Sequence, residues 1–150
     1  MLDVMRFWLD LGVDGLRLDA IPHLFEREGT TCDNLPETHA FIKRLRAAVD
    51  AGHPDRVLIA EASQPLDIIR SYFGDRDECQ MAFHFPLVHG LFLALARQDA
   101  RPIIDVVSAA SNLPDGAQWA TLMELPLQET SNLEGRTMKD WDEHRPGRVL

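Results

Sequence analysis

Asp14-Gly15-Leu16-Arg17-Leu18-Asp19-Ala20-Ile21-Pro22-His23 is the stretch that decides the fold. Its apolar residues predict a short strand over residues 16–21, with Arg17 and Asp19 toward the carboxyl end. Side chains two apart on a strand share a face. Arg17 and Asp19 are therefore expected to point the same way, the guanidinium clamping and orienting the carboxylate. A second apolar run, Arg56-Val57-Leu58-Ile59-Ala60-Glu61-Ala62, ends in another carboxylate. Two acids at the ends of consecutive parallel strands are what glycoside chemistry needs.

Helical and strand patterns alternate outward from these runs. Residues 1–11 carry apolar side chains on a broad amphipathic face, and Gly12 suits a C-cap. Residues 22–35 read as a polar loop. A helix then starts near Asn34 or Pro36, carries Phe41, Ile42, Leu45, Ala48 and Val49 at helical spacing, and ends by His53-Pro54. A strand over 57–62 follows. Residues 65–73 read as a short helix stopped by Gly74, and Asp75-Arg76-Asp77-Glu78 as a solvated turn. Met81-Ala82-Phe83-His84-Phe85 reads as a third strand, with His84 a structural histidine. Two helices over 87–97 and 102–111 and a fourth strand over 118–123 complete the pattern. Phe7, Trp8 and Phe92 are expected in the core. After Glu124 the pattern dissolves, and residues 125–150 read as an irregular tail.

Near-continuously apolar strands alternating with helices imply a parallel sheet covered by helices. Four such units suit a small open α/β sheet or half of an eight-stranded barrel, in which strand-end residues face the active site. A half barrel leaves two sheet edges and an apolar face uncovered.

The chain has 150 residues, 45% hydrophobic and 26% charged, enough for one domain with a real core. Its net charge of −9 and pI near 5.0 argue against nucleic acid or an anionic membrane as partner. The longest apolar stretch, residues 87–96, is too short to span a bilayer. The first residues lack a basic segment followed by an apolar one, so no signal peptide is expected. Cys32 and Cys79 have no metal-type spacing and suggest reduced thiols in the cytoplasm.

Gly15-Leu16-Arg17-Leu18-Asp19-Ala20 closely resembles the signature of the α-amylase superfamily, glycoside hydrolase family 13, and Leu58-Ile59-Ala60-Glu61-Ala62 resembles its next signature. The order matches, and the two acids lie 42 residues apart, one βα unit. Within the superfamily, Phe25-Glu26-Arg27-Glu28-Gly29-Thr30, Asn34-Leu35-Pro36-Glu37-Thr38-His39 and Met81-Ala82-Phe83-His84-Phe85-Pro86 resemble the trehalose synthase branch, whose members interconvert maltose and trehalose. The resemblance runs over roughly residues 1–121. It implies a partial (β/α)8 barrel over residues 1–124, cut at both ends. Asp19 would be the nucleophile and Glu61 the general acid/base, with Arg17 holding the nucleophile and contacting substrate. The implied partners are maltose, trehalose or related α-glucosides.

No cofactor is implied for catalysis. The resemblance does imply a structural calcium in a complete enzyme, bound through the His23 and Leu24 carbonyls and the Glu26 carboxylate. The superfamily's third carboxylate belongs to an Asn-His-Asp run, and Leu122-Met123-Glu124-Leu125-Pro126 stands in its place. The superfamily's earlier strands are also absent from this sequence. The 150-residue chain alone is therefore expected to have little or no activity. The alternatives are an α-1,4-glucoside hydrolase built on the same two acids, or a non-catalytic truncated fragment.

Overall fold

The structure, a computed structural model, describes residues 1–121. The tail over 125–150 and the segment standing in for the third carboxylate lie outside the described residues. Four parallel strands, β1 (Gly15–Leu18), β2 (Val57–Ala60), β3 (Met81–Phe83) and β4 (Gln118–Ala120), pair in the order β1-β2-β3-β4. Strand order decides between the two architectures left open above. An open doubly wound sheet reverses order at a switch point, whereas a barrel wall adds each strand beside the last. Order β1-β2-β3-β4 is a barrel wall.

The helices are α1 (Leu2–Asp10), α2 (Pro36–Gly52), α3 (Leu66–Ser71), α4 (Phe85–Arg97) and α5 (Arg101–Ala109). The chain forms two compact units. The first holds the sheet with α1, α2 and α3. In it Leu16, Leu18, Leu58, Ala60, Ala82 and Trp119 pack with Met5 and Leu9 of α1, Ile42, Leu45 and Val49 of α2, and Ile69, Tyr72 and Phe73. One face of the sheet therefore meets the helices. Strand periodicity sends Arg17, Ile59 and Met81 to the other face, on matched positions of the register. In the second unit α4 and α5 approach closely at Gly90, where an added Cβ would meet the Pro102 carbonyl oxygen at 3.1 Å.

Gly15 shows why the signature opens on glycine. A Cβ there would lie 2.6 Å from the backbone oxygen of Val57 on β2. Backbone in a paired strand cannot yield as a side chain can. Gly15→Ala is expected to lower stability by about 1–3 kcal/mol, the usual range for overpacking. Chemical denaturation measures it, and an unchanged midpoint would contradict the contact.

Four expectations need correction. First, β1 and β2 stop at Leu18 and Ala60, short of the expected 21 and 62. Ala20 turns into the left-handed region at φ 44°, and Ile21–His23 form a single 3₁₀ turn. Second, β3 ends at Phe83. Phe85 opens α4, with Pro86 in its first turn and the His84 Nδ1 accepting from the Leu87 N–H at 3.2 Å. His84 is buried, but as a helix cap. Third, Phe7 and Trp8 are 58% and 48% exposed. The buried stripe of α1 is Met5 and Leu9, one turn apart, and Phe7 and Trp8 fall on another face with Val4 and Leu11. Fourth, the acidic turn is not all solvated, because Glu78 is 2% exposed. Phe92 is partly buried. No described helix is long and apolar enough to cross a membrane.

Candidate active site

The register carries the two acids together. Arg17 on β1 lies beside Ile59 on β2, a constant 42-residue offset that puts Asp19 level with Glu61 just past the strand ends. Parallel pairing continues through the Glu61 N–H to the Leu18 oxygen at 3.0 Å and the Ile21 N–H to the Glu61 oxygen at 3.2 Å. Both acids leave on the face opposite the helices, at the carboxyl ends of the strands, where barrel active sites form.

One guanidinium nitrogen holds both. Arg17 Nη2 lies 3.2 Å from Asp19 Oδ1 and also pairs with Glu61 Oε2. Those two oxygens are therefore within about 6 Å of each other, compatible with the roughly 5–5.5 Å carboxyl separation of a retaining pair. Glu61 Oε2 also accepts the Ala20 N–H at 3.3 Å. The hydrogen bond to Glu61, and then the charges of Glu61 and Asp19, hold Arg17 more firmly protonated than an ordinary arginine. The Asp19 side chain is 76% exposed and Glu61 only 23%. One carboxylate is thus open to solvent, and the other is sheltered.

The resemblance implies calcium in a complete enzyme through the His23 and Leu24 carbonyls and the Glu26 carboxylate. The His23 side chain pairs with Asp33 Oδ1 at 2.7 Å, and Glu26 is exposed. No group of three or more His, Cys, Asp or Glu among the described residues could hold a metal ion. Two carbonyls and one carboxylate fall short of the six to eight oxygens Ca²⁺ takes. The residues present do not make a calcium site by themselves.

A cleft of about 180 Å³ lies elsewhere, lined by Arg46, Phe73, Gln80 and Ala117 among others. Gln80 and Ala117 precede β3 and β4, so this is the amino-terminal end of the sheet, the end that serves stability in barrels. Cys32 and Cys79 are both free, and burial pushes the Cys79 thiol up to about 12.

Sequence reasoning missed a buried polar pair between α2 and the turn before β3. His39 Nδ1 lies 2.9 Å from Glu78 Oε2, and the His39 ring stacks on Tyr72 with centroids 4.8 Å apart. The available signal was the position of His39 beside the buried stripe of Thr38, Ile42, Leu45 and Val49.

Burial raises the Glu78 carboxyl above its ordinary 4.5, against the opposing pull of His39. The folded state then binds this proton more readily than the unfolded one. Its stability contribution is full below 4.5 and is lost as pH rises through the raised folded value. Glu78→Gln removes that dependence. Thermal melts across this window are expected to show wild type losing stability relative to the variant as pH rises. A difference that is constant with pH would contradict the assignment.

The α-amylase catalytic domain family matches residues 1–141. The chain belongs to the α-amylase family. Among its relatives, the trehalose synthase/amylase TreS of Mycolicibacterium smegmatis is 54% identical over 143 residues, 89% of this chain and 24% of that protein. The trehalose synthase of Pimelobacter is 42% identical, over 96% of this chain and 27% of its own length. That of Thermus thermophilus is 46% identical, over 90% and 14%. The chain thus spans about a quarter or less of these relatives.

Solved structures agree on the fold. A sucrose 6F-phosphate phosphorylase from Thermoanaerobacter thermosaccharolyticum superposes with a TM-score of 0.69 at 18% identity, over 95% of this chain and 28% of its own. An α-amylase from H. orenii gives 0.61 at 18%, over 82% and 25%. The family fold is the (β/α)8 barrel, and this chain is part of its wall.

Proposed function

We propose that this chain is the segment of a retaining α-glucosyl-transferring enzyme of the trehalose synthase type that carries both the nucleophile and the general acid/base. The supporting observation is the single Arg17 guanidinium bound to two carboxylates on level positions of adjacent strands. Asp19, the exposed member, attacks the anomeric carbon and forms a glycosyl-enzyme. Glu61, the sheltered member, protonates the departing glycosidic oxygen. Glu61 then takes the proton from the incoming hydroxyl as that oxygen displaces Asp19, so the anomeric configuration is retained. The incoming hydroxyl decides the product. Re-addition of the released glucose through its anomeric hydroxyl converts maltose to trehalose, and water gives hydrolysis. The names of the relatives, trehalose synthase and trehalose synthase/amylase, support the isomerase as main reading.

The test is a chimera. Residues 1–121 replace the matching segment of the Mycolicibacterium smegmatis protein, and maltose conversion is followed by product analysis. Trehalose formation is expected from the chimera and none above background from the 150-residue chain alone. An inactive but folded chimera, or glucose as sole product, would remove the isomerase reading.

A further inference from the structure

Ala20 follows the candidate nucleophile with φ 44° and ψ 42°. A left-handed conformation costs a non-glycine residue roughly 1–2 kcal/mol, and it persists only where the surroundings over-determine it. On one side the surroundings are Glu61, whose Oε2 accepts the Ala20 N–H and whose backbone oxygen accepts the Ile21 N–H. On the other side the chain runs through the 3₁₀ turn to Pro22. The Pro22 oxygen accepts the Asn34 N–H at 2.9 Å. Asn34 is itself left-handed at φ 51°, and its side-chain oxygen accepts the Tyr72 hydroxyl.

Tyr72 is fully buried and gives this loop a fixed point. Its ring stacks on His39, which bonds the buried Glu78 carboxylate; the Arg46 guanidinium donates to the Glu78 carbonyl at 3.0 Å, and the Cys79 N–H donates to the Tyr72 backbone carbonyl at 2.9 Å. Burial raises the phenol pKa, so Tyr72 remains a donor. A continuous strut therefore runs from the core near α2 and α3 to the backbone beside both acids.

We propose that Tyr72 and Asn34, backed by the His39–Glu78 pair, are positioning residues that hold residues 20–34 so that the Ala20 amide stays on the Glu61 carboxylate. Neither touches the reacting atoms. The inference deepens the catalytic reading of Asp19 and Glu61 and rests on it for its functional meaning, but its geometry is tested without turnover.

The experiment uses the 150-residue chain and reads amide hydrogen exchange together with the Ala20 amide proton resonance, which reports its hydrogen bond. Tyr72→Phe deletes one oxygen and preserves the ring. It is expected to speed exchange over residues 20–34 by roughly five- to tenfold, the equivalent of one hydrogen bond. The Ala20 resonance is expected to move upfield, with α2 and the strands unchanged. Asn34→Gly keeps the left-handed backbone but removes the acceptor, and should reproduce the effect. Asn34→Asp keeps an acceptor and should restore the wild-type Ala20 resonance.

Exchange that rises uniformly across the first unit, or an Ala20 resonance that stays in place in both Tyr72→Phe and Asn34→Gly, would overturn the proposal. So would failure of Asn34→Asp to restore it. Loss of the catalytic reading would instead appear in the activity of the Asp19 and Glu61 variants, leaving these spectra untouched.

Discussion

Asp19→Asn is expected to lower glucosyl transfer by about three or more orders of magnitude, measured as kcat/KM on maltose in the chimera. Asparagine keeps the shape of the side chain but cannot form the glycosyl-enzyme. The charge it removes is largely exposed, so its contribution to stability is small. Arg17 keeps Glu61 as a partner. The melting temperature should therefore hold while activity collapses, a combination that separates a chemical role from a structural one. Activity within tenfold of wild type would leave Asp19 as a turn residue and end the nucleophile assignment.

Glu61→Gln should cost about 10²–10⁴-fold on maltose, the span typical of a lost general acid/base. The effect should depend on the leaving group. A glucoside whose leaving group departs without a proton, such as α-glucosyl fluoride, needs no acid in the first step and should lose much less rate there. Glutamine retains an oxygen for the Ala20 N–H, so the loop is preserved. The informative quantity is the ratio of the two rates. Equal losses on both substrates would show that Glu61 acts by position or charge and does not donate a proton.

Much of the barrel wall was legible in local sequence. Pro36 and Glu37 at the start of α2 and Gly74 after α3 mark boundaries through backbone chemistry that needs no partner. Strand ends were less legible. Ala20 and Ile21 are apolar and continue the strand pattern, but the chain turns there because Glu61 captures their amides from another strand. Phe85 likewise reads as strand until Pro86 and the His84 cap place it in a helix. Six of the nine residues of α1 are apolar and lie on more than one face, so periodicity could not choose which stripe faced inward. Docking on the sheet chose Met5 and Leu9 and left Phe7 and Trp8 outside.

The candidate site divides in the same way. Sequence by itself determined the two carboxylates, their shared face with Arg17, and the one-unit spacing, because strand alternation and motif order are local properties of the chain. Tertiary structure alone decided that one guanidinium joins both acids, since that needs the β1–β2 register. It also decided that Glu78 is buried. An acidic run between Asp75 and Glu78 looks solvated residue by residue. Only the arrival of His39 from α2, 39 positions away in sequence, supplies the partner that lets a carboxylate leave water.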